Sequence, residues 1–124
     1  MVKSEQLQRL VVEGMLERKA EKIAVIDLKN IKNAVADYFV ICSANSDTQA
    51  QAISESIDEV VYKTAGMHPW HEEGKTNREW ILIDYVDVVA HVFVKHRRDH
   101  YALEELWGDA AITLIDETVA SQER

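Results

Sequence analysis

Five histidines and a single cysteine are the residues of this chain best suited to metal binding. His68 and His71 stand beside the acidic pair Glu72-Glu73, and imidazole and carboxylate groups together can bind zinc. A zinc-binding helix would need the spacing His-Glu-x-x-His, and a structural zinc site would need several cysteines. The sequence has neither pattern. We therefore predict no metal site and no cofactor.

The remaining reactive side chains do not form a catalytic set. Asp84 and Asp87 bracket a short connection, where aspartate is favoured because it hydrogen-bonds to the backbone of the turn. Cys42 stands inside an apolar run and is expected to be a buried apolar residue. Ser43 and Ser46 flank a turn without glycine, so we interpret them as capping residues rather than as an anion site. The chain is predicted not to be an enzyme.

An excess of acidic residues limits the class of partner. The chain has 22 Asp and Glu against 14 Lys and Arg, a formal net charge of −8. A phosphate backbone repels such a protein unless a local basic patch dominates. The compact basic cluster Lys95–Arg98 is followed closely by acidic residues. We predict no direct sequence-specific nucleic-acid binding, and we favour a basic protein as the partner.

Length and hydrophobicity indicate one globular unit. The 124 residues are 47% hydrophobic, which is enough for a single core. The N-terminal residues lack the apolar stretch of a signal peptide, and no apolar run is long enough to span a bilayer. The single cysteine suits a reducing compartment. We expect a cytoplasmic protein without membrane attachment.

Apolar spacing and capping signals predict the elements that position these residues. Ser46 and Gln49 form a capping-box pattern before a helix that ends at Gly66. The run at 38–43 is apolar without alternation, which predicts a central strand buried on both faces. The other predicted elements are helices at 4–19 and 98–107 and strands at 23–28, 68–73, 79–85 and 88–94.

These elements predict an α/β protein whose helices pack on a small mixed sheet, in the order α-β-β-α-β-β-β-α. We assign residues 1–110 to a single domain. Residues 111–124 combine helical apolar spacing with Thr and Asp. They are predicted to be a weakly helical or mobile C-terminal tail.

The strands at 79–85 and 88–94 predict a hairpin in a definite register. If Val86 and Asp87 form a two-residue turn, one face of the hairpin is apolar throughout. A shift of one residue would mix the two faces. We expect the apolar face to lie on the core, with the cross-strand pairs Tyr85–Val88, Ile83–Ala90 and Ile81–Val92.

The opposite face of the hairpin combines aromatic, apolar and charged groups. It carries the pairs Trp80–Phe93, Leu82–His91 and Asp84–Val89. A helix often covers such a face, but the predicted helices are only wide enough for one side of the sheet. Exposed aromatic residues beside a carboxylate are typical of protein interfaces. We therefore predict an exposed docking face.

Several segments together resemble the Iojap-type ribosome silencing factors, abbreviated RsfS. Residues Ala36–Ser43, which read ADYFVICS, are similar to the family signature TDYFVICS. Later family motifs are matched in order and spacing by Glu73-Gly74 and by residues 79–85, 87–93 and 103–109. The resemblance covers roughly residues 7–110. Collinear agreement of this kind is more specific than any single motif.

The resemblance implies a fold related to nucleotidyltransferases, a homodimer and a partner. The family binds the large ribosomal subunit through its fourteenth large-subunit protein, blocks subunit joining and represses translation when nutrients are scarce. Trp80 matches a family tryptophan associated with that contact. The family motifs and the mixed face together give these candidate partner-binding residues: Glu73, Gly74, Trp80, Leu82, Asp84, Asp87, His91 and Phe93.

Two departures from the family and two alternative functions accompany this interpretation. Ala44-Asn45 replace a small pair such as Gly-Thr, and Val86 stands where the turn often has glycine, so we expect no positive φ there. One alternative is a nucleotidyltransferase-type enzyme that acts on nucleotides with magnesium. The chain lacks the glycine turn and the closely spaced acidic pair that such an enzyme uses. The other alternative is a structural oligomer that does not bind ribosomes.

Overall fold

One mixed sheet and two long helices make up residues 2–96 and 110–115, the part of the chain described by the computed structural model. The elements in chain order are α1 (Ser4–Glu17), β1 (Glu21–Asp27), β2 (Tyr38–Ala44), α2 (Asp47–Ala65), β3 (His71–Glu73), β4 (Trp80–Asp84), β5 (Val88–Val94) and β6 (Ala111–Leu114). The strand order in the sheet is β3-β4-β5-β2-β1-β6. The predicted α/β class, with helices on a mixed sheet, is confirmed.

The centre of the sheet is formed by β2 and β5, which run parallel to each other. The other strand pairs are antiparallel. Every residue of β2 and of β5 is buried, as expected for apolar strands that are covered on both faces. The prediction that residues 38–43 form a central strand is confirmed.

Both helices pack on the same face of the sheet. The apolar residues buried between the helices and this face form the main core, to which α1 contributes Leu7, Leu10, Val11 and Met15. At the crossing of α1 and α2, a Cβ atom on Gly14 would lie 2.6 Å from the Cα of Ile57. The Ser56 hydroxyl donates a hydrogen bond of 2.8 Å to the Gly14 carbonyl. The two helix backbones therefore approach as closely as they do because residue 14 has no side chain.

The ends of α2 follow the predicted capping pattern. The Ser46 hydroxyl accepts a hydrogen bond of 3.1 Å from the backbone N–H of Gln49. The Gln49 side chain in turn accepts one of 2.7 Å from the backbone N–H of Asn45 and donates to the carbonyls of Arg18 and Lys19. Gly66 ends the helix with φ +68°, the left-handed conformation that favours glycine. The cap thus also fixes the end of α1 against the start of α2.

A second, smaller apolar cluster lies on the face of the sheet away from the main core. Its buried members are Ile26, Leu28, Ala36, Phe39, Ile41, Val89 and Phe93. The connection between β1 and β2 supplies Leu28 and Ala36, and the partly buried Ile31 and Ala34 pack against the same cluster. This connection therefore covers the middle of the second face, which the sequence had predicted to be open.

The prediction for the C-terminal segment is wrong at residues 111–114. These residues form β6, which pairs antiparallel with β1 through Ala24–Leu114, Val25–Thr113, Ile26–Ile112 and Asp27–Ala111. The apolar spacing suggested a weak helix, but β1 offers an edge for backbone pairing, and Ile112 and Thr113 are β-branched. A distant strand has overridden the local helical pattern.

The predicted helix at 98–107 lies outside the described residues, as does the remainder of the predicted tail beyond residue 115. The observed order of described elements is α-β-β-α-β-β-β followed by the strand β6. Within the described residues, no helix is long and apolar enough to cross a membrane.

Candidate docking surface

The hairpin of β4 and β5 has the predicted register. Ile81 pairs with Val92 and Ile83 pairs with Ala90, and all four side chains are fully buried in the main core. The opposite face carries the pairs Trp80–Phe93, Leu82–His91 and Asp84–Val89. The segregation of apolar side chains was therefore sufficient to fix which residues point away from the helices.

The turn of this hairpin differs from the expectation at Val86. Its φ is +76°, and the Asp87 N–H donates to the Tyr85 carbonyl across it at 3.0 Å. A positive φ is uncommon for a β-branched residue and costs conformational energy. The Asp84 carboxylate offsets part of that cost by accepting a hydrogen bond of 2.7 Å from the Val86 N–H. The expectation that Val86 would avoid a positive φ is wrong.

Asp87 holds the turn against the neighbouring connection. Its carbonyl accepts hydrogen bonds from the backbone N–H groups of Asp37 at 2.8 Å and Tyr38 at 3.2 Å. Asp87 itself is exposed. Asp87 therefore lies at the end of the hairpin, whereas Trp80 lies at the opposite end of β4.

An aromatic ladder crosses the second face of the sheet. The rings of Trp80 and Phe93 stack with centroids 5.1 Å apart, and the ring of Phe39 meets that of His91 edge-on at 4.8 Å. The indole N–H of Trp80 donates a hydrogen bond of 3.1 Å to Nδ1 of His91. His91 is only 4% exposed and Phe93 only 1%. The expected exposure of the aromatic face is therefore wrong for these two residues, because the second apolar cluster extends over them.

The protonation of His91 follows from its surroundings. Burial lowers the pKa of its imidazole to about 4, because a buried site disfavours the charged form. The ring is thus neutral at pH 7. Since Nδ1 accepts the Trp80 hydrogen bond, the single proton resides on Nε2. Nε2 is buried and has no hydrogen-bond partner among the residues that the structure describes.

The accessible part of the second face is the row formed by Trp80, Leu82 and Asp84, which are all partly exposed. The edge strand β3 extends this row, since Glu73 pairs with Leu82 and His71 pairs with Asp84. Glu73 and His71 are exposed, and Nε2 of His71 lies 3.6 Å from a Glu73 carboxylate oxygen. We call the row and its β3 extension the docking surface: Glu73, His71, Trp80, Leu82 and Asp84.

Gly74 shapes the edge of the docking surface without presenting a side chain. Its φ is +87°, and a Cβ atom there would collide with the carbonyl oxygen of Trp80. Its own carbonyl accepts a hydrogen bond of 2.8 Å from the N–H of Arg78. The turn between β3 and β4 can therefore approach the backbone of Trp80 only if residue 74 is glycine.

The sequence model of the family described as "Ribosomal silencing factor during starvation" matches residues 2–124. The chain belongs to this family. A protein of Halalkalibacterium halodurans named "Ribosomal silencing factor RsfS" is 37% identical over 117 residues, which are 94% of this chain and 98% of the relative. The protein of the same name from Bacillus subtilis is 43% identical over 100 residues, which are 81% and 83% of the two chains.

Solved structures agree with the membership in the ribosomal silencing family. A crystal structure of a Chromobacterium violaceum protein superposes with a TM-score of 0.80 at 28% identity and covers 86% of this chain and 88% of that chain. A crystal structure from Bacillus halodurans gives a TM-score of 0.74 at 35% identity, with coverages of 90% and 98%. The sheet and helices described above are therefore the fold of the family.

The structure separates the residues that the family motifs suggested. It brings Glu73, Trp80, Leu82 and Asp84 together on one accessible strip. It buries His91 and Phe93 beneath Trp80 and places Asp87 in the turn. His71 was missed as a member of this strip. A hairpin register drawn between β3 and β4 would have found it, because His71 pairs with Asp84.

A separate group of polar side chains joins β3 to α2 on the main-core face. The Tyr85 hydroxyl donates a hydrogen bond of 3.1 Å to Asp58, while the Lys75 ammonium group lies 3.7 Å from Asp58 and 3.3 Å from Glu72. Burial, together with the neighbouring Glu72 carboxylate, raises the pKa of Asp58 to about 6. This group anchors the edge strand, and it faces away from the docking surface because Glu72 pairs with Ile83.

The candidate metal ligands named from the sequence do not converge. Within residues 2–96 and 110–115, no group of three or more His, Cys, Asp or Glu side chains is arranged to hold a metal ion. His68 stacks on Tyr62 with ring centroids 4.6 Å apart, whereas His71 lies in β3. Cys42, the single cysteine of the sequence, is buried in β2.

Proposed function

We propose that this protein is a ribosomal silencing factor, which binds the large ribosomal subunit and sterically prevents the small subunit from joining. The observation that supports the proposal most strongly is the partly exposed Trp80, which an aromatic ladder holds at one end of a strip that also carries Glu73 and Asp84. An interface anchor is typically a rigid aromatic side chain that fits a pocket of the partner. A steric block needs affinity and bulk, and it needs no reacting group.

The chemistry of the docking surface favours a basic protein as the direct contact. Glu73 lies opposite Leu82, and Asp84 follows Leu82 on the same face. The whole chain carries a net charge of −8. Such a surface attracts a basic protein and repels exposed RNA phosphates. We propose the fourteenth protein of the large subunit as that contact. The role would place the protein in the cytoplasm, and we propose that the free protein is a homodimer.

Co-sedimentation with purified large ribosomal subunits through a sucrose gradient tests this function. The wild-type protein should travel with the large subunits, and it should reduce the yield of joined ribosomes when small subunits are added. Trp80→Ala should weaken binding by about thirtyfold or more, since truncating an aromatic anchor of an interface typically costs about 2 kcal/mol.

Tyr62→Ala is the matched control for that experiment. Tyr62 is an aromatic residue, 53% exposed, on α2, and α2 packs on the face of the sheet opposite the docking surface. This variant should bind large subunits as the wild type does. Full binding by Trp80→Ala, with an unchanged circular dichroism spectrum, would show that the surface is assigned wrongly. Absence of wild-type binding would remove the proposed function itself.

The alternative of a nucleotidyltransferase-type enzyme, with the related fold, receives less support from the geometry. The Asp84 carboxylate accepts a hydrogen bond from the turn backbone, and Asp87 lies within the turn. The two carboxylates therefore do not form a closely spaced pair on one strand, as metal–nucleotide binding requires. Calorimetric titration with magnesium-ATP distinguishes the alternatives, because a measurable binding heat would favour the enzyme.

A further inference from the structure

The buried imidazole of His91 makes one polar contact that the structure describes, and it leaves a second polar atom unused. Nδ1 accepts the Trp80 indole N–H at 3.1 Å, whereas Nε2 is buried without a hydrogen-bond partner among the described residues. A buried N–H without an acceptor destabilises a fold, and an apolar side chain of similar size would avoid that cost. His91 therefore contributes one hydrogen-bond acceptor at Nδ1 and leaves a buried Nε2–H without a partner among the described residues.

The acceptor is directed at the side chain that anchors the docking surface. An indole ring on a strand can take several rotamers, and stacking on Phe93 at 5.1 Å restricts its plane. Stacking alone does not decide which edge of the indole faces the sheet. A hydrogen bond to the single indole N–H does decide it, since that group is a donor only.

We propose that His91 is a positioning residue: by accepting the indole N–H of Trp80, it holds the ring in the orientation in which the ring's exposed edge meets the partner. The inference rests on the proposed function, because it assigns how Trp80 is prepared for binding. A side chain that is ordered before binding loses less conformational entropy when the complex forms.

Two substitutions of similar size separate this positioning role from a role in stability. His91→Asn keeps an acceptor oxygen near the position of Nδ1, whereas His91→Leu keeps the volume and removes the acceptor. His91→Leu should fold at least as stably as the wild type, because it also removes the unpaired Nε2–H. It should nevertheless bind large subunits about threefold to tenfold more weakly. His91→Asn should bind within about twofold of the wild type.

The indole N–H resonances in a proton–nitrogen correlation spectrum give a readout that a purely structural role would not change. The chain has three tryptophans, and the Trp80 resonance is the one that disappears in Trp80→Phe. In His91→Leu this resonance should shift upfield and exchange faster with solvent. In His91→Asn it should remain close to its wild-type position.

The possible outcomes distinguish the inference from the proposed function. If the wild type binds and Trp80→Ala does not, but His91→Leu binds as the wild type does, the positioning role is wrong and the function stands. An unshifted Trp80 resonance in His91→Leu would also overturn the inference. If the wild type itself fails to sediment with large subunits, the function fails, whereas the resonance shift still tests the hydrogen bond.

Discussion

Replacing Gly14 by alanine should destabilise the protein, although alanine is the better helix former. In the interior of an isolated helix, the change would gain about 1 kcal/mol. Here the new Cβ atom would lie 2.6 Å from the Cα of Ile57, where ordinary contacts begin near 3.4 Å. The obstacle is backbone, so α1 and α2 would have to separate.

The free-energy cost of separating the two helices can be estimated from the contacts at their crossing. Overpacking of a well-filled core typically costs about 1–3 kcal/mol. The separation would also stretch the hydrogen bond from Ser56 to the Gly14 carbonyl, and leaving such buried groups unpaired costs about 1–3 kcal/mol. After the helix-propensity gain is subtracted, we expect a net loss of about 1–5 kcal/mol in the free energy of unfolding.

Urea denaturation followed by circular dichroism at equilibrium measures this loss. Glu13→Ala is the matched control, because Glu13 is exposed on the same helix and should change stability by less than about 0.5 kcal/mol. If Gly14→Ala were as stable as the wild type or more stable, the close approach of the two helices would not be a constraint, and this account of their packing would be refuted.

Three further predictions concern the turn and the titrating groups. Val86→Gly should raise the free energy of unfolding by about 1 kcal/mol in the same assay, since it relieves a positive φ at a β-branched residue, and an unchanged or lower value would contradict the strain. The folded-state pKa of Asp58 is about 6, above its unfolded value near 4, so its contribution to stability is greatest below pH 4 and is lost as pH rises to 6. Asp58→Asn should remove a decline in the free energy of unfolding on the order of 1 kcal/mol between pH 4 and pH 6. A pH profile identical to that of the wild type would count against this expectation. His91 has the opposite sign, because burial lowers its folded-state pKa to about 4 from an unfolded value near 6.5. Its contribution is complete above pH 6.5 and is lost as pH falls to 4, so His91→Leu should show a flatter acid limb in thermal melts, and an equally steep one would refute the assignment.

The register of the hairpin of β4 and β5 could be predicted from the sequence because it has a local cause. One alignment places Ile81 and Ile83 on the same face as Ala90 and Val92, and every shift by one residue destroys that segregation. The helix α2 was equally predictable, since Ser46 and Gly66 carry its capping signals within the segment itself. In both cases the information lies within about twenty residues.

Other features depended on segments that are far apart in the chain. The strand β6 exists because Ala111–Leu114 pair with β1, and the sequence of this segment does not indicate that β1 is its pairing partner. The burial of His91 and Phe93 depends on the second apolar cluster, to which the connection between β1 and β2 contributes Leu28 and Ala36. Alternation within a hairpin identifies the two faces, but it does not reveal which distant segment covers one of them.

The positive φ of Val86 could not be predicted because the residue type argues against it. Its cause is the set of hydrogen bonds around the turn, including the one that the Asp84 carboxylate accepts from the Val86 N–H. Trp80, Leu82, Asp84, His91 and Phe93 were identified from their common face in the hairpin, a reason that does not depend on burial. The resemblance to the family motifs supplied Glu73, Gly74 and Asp87. How much of each side chain is accessible required the complete sheet.

Because side chains alternate between the two faces of the sheet along β4, adjacent residues of this strand are under different constraints. Ile81 and Ile83 face the helices and must fit a filled interior, whereas Trp80, Leu82 and Asp84 face outward. Substitutions at positions 80, 82 and 84 could therefore change the contacts with the partner without repacking the interior. A saturation library across this strand, scored separately for folding and for ribosome binding, should show the two scores varying with a period of two residues and out of phase with each other.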